Sequence, residues 1–307
     1  MESNMRSVRF LGLVSLVAVS TQFSLWAEDN SSVHTGRPRK VLVGDYSAKA
    51  LALINEKGDI EWQTPIRNIH DVTRLPNGNL LMQTDWTEII EMTPDHQIVW
   101  KYDAARQNGN EGKAVEVHAF QRLANGDTMI VESGPARIIE VNAEGKIQKQ
   151  IALKVEHHNA HTDTRLARKL DNGHYLVAHE GENKVVREYD GNGKVVWEYK
   201  TGTKVYSAIR LKNGNTLIGM GDGHRVIEVD RDGKTIWSVE EKELPGITLA
   251  WVTMVERLAN GNTLIVNCHG GENNPQVIEV DPNKKVVWTF KDFRRFGNSL
   301  PVAKIIE

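Results

Sequence analysis

Cysteine is nearly missing from this chain. Its 307 residues contain one, Cys268, so an intrachain disulfide is excluded. An excess of one charge is also missing. The 38 Lys and Arg against 40 Asp and Glu leave a net charge of −2, with no footprint for nucleic acid or an anionic membrane. Helical periodicity is nearly absent. Long apolar runs are scarce: Phe10 to Ser20 is one, but it is short for a bilayer span, and no later segment could cross. Arg6 and Arg9 precede that run and Ala27 follows it, an arrangement that predicts a secretory signal over residues 1–27, with a retained anchor as the alternative. Export to the periplasm or the extracellular space is the corresponding expectation. The polar stretch 28–38 reads as a linker. The remaining residues, 39–307, read as a single domain, for which a 40% hydrophobic content is ample.

What is present is a repeat. HDVTRLPNGNLLM (70–82), SAIRLKNGNTLI (207–218) and TMVERLANGNTLI (253–265) share one phrase, with further copies at 118–130 and 165–177. Each is followed by a second phrase, such as RVIEVDRDGKTIWSV (225–239) or QVIEVDPNKKVVWTF (276–290). The period of forty to fifty residues is that of propeller blades. Asn-Gly and Asp-Gly pairs between alternating apolar runs mark hairpins, so each unit reads as four short antiparallel strands, a to d. The first unit (40–63) lacks strand a, and the last residues, PVAKIIE (301–307), resemble a lone strand a. Pairing the two closes a six-bladed, all-β propeller and removes the exposed edges of an open sheet.

Most repeated residues read as architecture. Trp62, Trp100, Trp197, Trp237 and Trp288 recur in strand d, with Lys149 in the third full unit, and are expected to pack between blades. Arg74, Arg122, Lys169, Arg210, Arg257 and Lys304 recur before the a–b turn. Glu91, Glu140, Glu188, Glu228 and Glu279 recur in strand c. The expectation is a ring of ion pairs joining blades.

Residues that break the repeat converge on one face. Strand a starts and strand b ends on the same rim, so the d–a connections and b–c loops share it. The starts of strand a carry His70 and Asp71, Glu116 and His118, the cluster HHNAHTDTR (157–165), Tyr206 and Trp251. The ends of strand b give the column Asp45, Thr84, Glu132, His179, Met220 and Asn267, with Asp222 and His269 just beyond. Histidines from several blades beside carboxylates suit a divalent metal, and His70, His118, His161 and His179 are the candidate ligands. They equally suit metal-free acid–base work, for which His118, His161, His179 and Arg165 are the catalytic candidates. His70, Asp71, Glu132, His158, Tyr206, Asp222, Trp251 and His269 are the candidate ligand contacts, and Arg165 would meet an anion. A solvated polar rim without function remains the alternative.

The phrases RLANGNTLI (257–265) and VIEVDRDGKTIW (226–237) resemble quinoprotein-like and arylsulfotransferase-like propeller repeats, and the likeness covers about residues 39–307. The resemblance to bacterial arylsulfotransferases implies an exported six-bladed propeller with a histidine nucleophile and accompanying His and Arg, here drawn from His70, His118, His158, His161, His179 and Arg165. Quinone-dependent dehydrogenases of similar repeat carry adjacent cysteines, which this chain lacks, so a quinone is not expected. Propeller polysaccharide lyases supply a third likeness, with histidine-bound metal at the ring's mouth. The expectation is a propeller binding a small polar or anionic ligand, of the sugar-acid or aryl-sulfate type. Its activity would be a transferase, or a metal-assisted lyase or hydrolase. The alternative is a non-catalytic binding or scaffold propeller.

Overall fold

The structure, a computed structural model, describes residues 33–181 and 184–306. The signal expected at residues 1–27 lies outside them. Within the expected linker, residues 33–36 form a strand, β1 (Val33–Gly36).

Six blades follow, each with four antiparallel strands. Blade 1 holds β2 (Val41–Asp45), β3 (Ala50–Ile54) and β4 (Ile60–Pro65). Blade 2 holds β5 (Val72–Arg74), β6 (Leu80–Gln83), β7 (Glu88–Met92) and β8 (Ile98–Asp103). Blade 3 holds β9 (Glu116–Arg122), β10 (Thr128–Ser133), β11 (Arg137–Val141) and β12 (Ile147–Ala152). Blade 4 holds β13 (Ala167–Lys169), β14 (Tyr175–His179), β15 (Val185–Tyr189) and β16 (Val195–Lys200). Blade 5 holds β17 (Ser207–Arg210), β18 (Thr216–Gly219), β19 (Val226–Val229) and β20 (Thr235–Val239). Blade 6 holds β21 (Trp251–Arg257), β22 (Thr263–Cys268), β23 (Val277–Val280) and β24 (Val286–Lys291). The last strand, β25 (Val302–Ile305), pairs with β2 from Val41↔Ile305 to Gly44↔Val302 and completes blade 1, so the ring closes as the ends of the sequence foretold.

Local chemistry explains the blades. At the first a–b turn, Gly78 donates to Leu75 O and Leu75 to Asn79 O, with Pro76 inside the turn. Gly78 takes φ +87°, a left-handed conformation that costs other L-residues strain and glycine little. Strands b and c are the inner strands of each blade and are mostly buried, completely so in β10 and β15; strand d faces solvent on one side, so β16 alternates between half-buried and exposed residues. The strand-c glutamates face the strand-d tryptophans in register, Glu188↔Trp197 for one, and a bulge follows each pair.

The expected links between blades are present. Indole N–H groups of Trp62, Trp100, Trp197 and Trp237 donate to Pro94, Ala143, Arg231 and Pro282 carbonyls of the next blade, at 2.9 to 3.0 Å. Arg122–Glu91, Lys169–Glu140, Arg210–Glu188 and Arg257–Glu228 pair at 2.6 to 2.8 Å. The ring changes at its seam. Strand c of blade 1 carries Leu53 in place of the glutamate, Lys304 pairs with Glu256, and Glu279 takes Arg39 at 2.6 Å. β1 extends blade 6 by pairing with β24.

Candidate functional site

Fourteen residues from the d–a and b–c rim enclose a cavity of about 390 Å³ at the ring's mouth. Blade 1 contributes Tyr46; blade 2, His70 and Trp86; blade 4, His161, Arg165 and Glu180; blade 5, Lys204 and Tyr206; and blade 6, Trp251 and His269. A larger open groove of about 600 Å³ runs past Arg67, Asp85 and Arg106, where the charges pair as surface ion pairs and no histidine enters.

The cluster HHNAHTDTR is an ordered loop. The Asn159 side chain accepts from the His161 and Thr162 amides at 2.9 and 3.1 Å, which forms an Asx turn. The Asp163 carboxylate accepts from the Asn159 and Gly134 amides at 2.9 and 3.1 Å, although burial pushes its pKa upward. This turn presents His161, half-exposed, toward the cavity.

His118 arrives by a different device. The β9–β10 register steps from Ala119↔Val131 to Val117↔Glu132, so His118 is the extra residue of a β-bulge. Bulges re-aim side chains next to functional sites. Glu116 stands two residues earlier on the same strand. One donor atom from each of Glu116, His118 and His161 lies within 4.8 Å of the others, the one such group among the described residues. Glu116 Oε2 is 2.9 Å from His118 Nε2 and 2.9 Å from His161 Nδ1.

The tautomer of His118 follows from its other nitrogen. Nδ1 is 2.6 Å from Thr164 O, which can only accept, so Nδ1 carries hydrogen. A neutral His118 then turns its Nε2 lone pair toward the Glu116 carboxylate. Burial, and next the Arg165 guanidinium, hold the His118 pKa down to about 4. Burial pulls Glu116 upward, but the His118 and His161 contacts outweigh it and hold the carboxyl at about 2. Protonated, His118 would donate to the Glu116 carboxylate; neutral with its hydrogen on Nδ1, it turns a lone pair toward it.

His70 closes the floor. Its ring lies 4.7 Å from His118, 5.0 Å from Trp86 and 5.6 Å from Tyr206, centroid to centroid. Burial first, then His118, push its pKa well below the ordinary value. Burial pushes the Tyr206 hydroxyl well above its own. Across the mouth, the Tyr46 hydroxyl, kept protonated by burial, is 3.2 Å from His269 Nε2.

The structure brings His70, His118 and His161 together and places the fourth expected ligand elsewhere. His179 bonds Asp163 O at 2.7 Å and the Tyr189 hydroxyl at 2.9 Å, which occupies both ring nitrogens. His158 bonds Gly134 O at 2.7 Å beside a separate small pocket, the one that His179 also lines. Arg165 reaches the cavity, but its Nε is bonded to Glu180, so its charge is already met. Asp71 of blade 2 is buried against Arg168 of blade 4 at 2.6 Å, and Glu132 pairs with Arg137 within blade 3 at 2.6 Å. Asp222 of the β18–β19 loop accepts the amide of Lys204 from the β16–β17 connection at 2.7 Å. Tyr206, Trp251 and His269 line the cavity. Trp86, Tyr46 and Lys204 were not singled out. Trp86 had a signal, since it stands outside the strand-d column.

Residues 47–267 match the model of the Mal s 1 allergenic protein-like family. The chain belongs to that family. No curated protein matches it in sequence. Among solved structures, it is similar to a protein of unknown function from Bacteroides caccae, at 25% identity and TM-score 0.77, covering 88% of this chain and 99% of that one. Virginiamycin B lyase from Staphylococcus aureus is similar in fold, at 13% identity and TM-score 0.58, covering 88% and 87%. A catalytically inactive histidine-to-alanine form of that lyase, with quinupristin, gives 13% identity and 0.58 over 87% of each chain. These likenesses support a β-propeller repeat family rather than the quinoprotein or arylsulfotransferase type in particular.

Proposed function

We propose that this chain is an exported enzyme that takes a small polar ligand into the funnel and acts on it through a divalent ion held by Glu116, His118 and His161. One observation carries this reading. His118 donates through Nδ1 and points Nε2 at the Glu116 carboxylate 2.9 Å away, with His161 completing the group. Facing lone pairs favour a cation between them, either a proton or a metal ion. A proton there would make His118 an imidazolium in a buried position, with Arg165 Nη1 3.4 Å from its ring nitrogens. A divalent ion instead accepts both lone pairs, and the Thr164 carbonyl then fixes the ring as outer partners of metal-bound histidines do.

When bound, the ion would polarise an oxygen of the ligand or lower the pKa of a water. Trp86 and Trp251 would flank the ligand, and Tyr46 with His269 stands ready to pass a proton on the opposite wall. An anionic group, such as the sulfate or sugar carboxylate that the repeat resemblance suggested, would meet the ion, because Arg165 and Lys204 both pair with Glu180. A propeller of similar fold, the virginiamycin B lyase, is catalytically inactive in a histidine-to-alanine form, which is compatible with histidine chemistry here.

The test is calorimetric titration of Mn²⁺ and Zn²⁺ into chelator-treated full-length protein. One ion per chain is expected, with affinity lowered on the order of 100-fold in Glu116→Gln and His118→Ala. Equal binding by the variants and the parent would remove the centre and leave a binding propeller. Aryl sulfates and uronic-acid glycans are the first substrates to offer the loaded protein.

A further inference from the structure

At the floor of the funnel, two side chains that line the cavity keep buried polar atoms without a partner among the described residues. They are His70 Nδ1 and the Tyr206 hydroxyl. Their rings are 5.6 Å apart. Buried polar groups are almost always paired, and an unpaired one is destabilising. Folding gains nothing from leaving two such atoms on adjoining rings, whereas a ligand group that reaches both rings can complete them.

The surroundings say what kind of group. The cations nearest the floor are Arg165, stacked 5.5 Å over the Tyr206 ring, and Lys204. Both pair with Glu180, so the floor has no uncommitted positive charge. A carboxylate or sulfate there would have to displace Glu180. A hydroxyl needs no such exchange. It offers one donor and two acceptor sites, so it can accept from the tyrosine and donate to an imidazole nitrogen. The walls are flat and apolar: Trp86 rests against both His70 and His161, at 5.0 and 5.3 Å, and Trp251 lies under Lys204 at 5.4 Å. The cavity of about 390 Å³ admits a molecule of one or two rings.

We infer that the funnel floor is a subsite for an uncharged hydroxyl on a ring that packs against tryptophan, a sugar or an aryl alcohol, which accepts the Tyr206 O–H and donates to His70. The inference rests on the funnel being the ligand site, and not on the ion.

The test uses full-length protein in chelator with four probes: methyl β-D-glucopyranoside, its glucuronide counterpart, benzyl alcohol and benzoate. Binding is read by saturation-transfer NMR and calorimetry. One neutral probe should bind about tenfold more tightly than its own anionic counterpart, the worth of about one hydrogen bond. The responding pair tells sugar from aryl alcohol. Tyr206→Phe should remove that preference while leaving Tm unchanged or raised, because the lost hydroxyl has no protein partner. Equal or tighter binding of the anions overturns the inference. So does binding of no neutral probe, which would assign the two atoms to water alone. Full affinity in Tyr206→Phe, or a fall in its Tm, also overturns it. Because the probes are offered without metal, a failure of the ion titration leaves this result standing.

Discussion

His118 and His179 are alike by every local measure. Each is buried, each bonds a main-chain carbonyl through Nδ1, and burial holds each pKa at about 4. They differ in what meets Nε2: a carboxylate for His118, the Tyr189 hydroxyl for His179. His179 is therefore a satisfied core residue. His179→Ala should cost about 2–4 kcal/mol by leaving Asp163 O and Tyr189 without their partner, and should leave metal uptake unchanged. Chemical denaturation and the ion titration together check both halves. The depressed pKa also fixes a sign. The unfolded imidazole takes a proton below 6.5, but the folded one resists to about 4. The stability that His179 supplies is present above 6.5 and is lost as pH falls toward 4. His179→Gln should flatten that part of the Tm–pH curve.

At the scale of strands, the links between blades carry the next predictions. Glu188 of β15 gathers Arg210 at 2.8 Å, His174 at 2.8 Å and Arg231. Burial pulls its pKa upward, but these partners outweigh it and leave the carboxyl below its ordinary value. Its stabilisation is thus present above the unfolded carboxylate range and lost on acidification through it. Glu188→Gln should cost about 1–3 kcal/mol near neutrality, discounted for the half-exposed Arg231, and less in acid. Trp197→Phe removes the N–H bond to Arg231 O and should cost about 1–2 kcal/mol by thermal melt. Both columns were legible in the sequence, because they recur once per blade. The bulge at His118 was not. A bulge is a mismatch between two strands, and its register depends on β10 as much as on β9. Alternation along β9 alone gives no sign of it.

Closure belongs to the whole ring. β25 supplies the strand that blade 1 lacks, so deleting residues 301–307 should expose the edge of β2. The expected result is a large fall in Tm with self-association on size exclusion, since unpaired edges template other strands. An unchanged Tm and a monomeric profile would assign closure to other contacts. The family match and the likeness to propellers of low identity fit a frame that tolerates change wherever the turns and blade contacts persist. The funnel is the part of the molecule that departs from repetition.

The sequence by itself determined the six blades, their strands and the joining of the two chain ends. Those depend on turn chemistry and period-two patterning, which act over a few residues and are restated in every unit. It also determined that the histidines gather on one rim. Only the tertiary structure decided which of them meet. Glu116 and His161 are 45 residues apart in sequence, and their contact depends on how far two blades lean together. The same kind of packing gave Asp71 of blade 2 to Arg168 of blade 4. A polar side chain bonds to whatever lies within about 3 Å of it, and distances that short are set by packing between blades rather than by spacing along the chain.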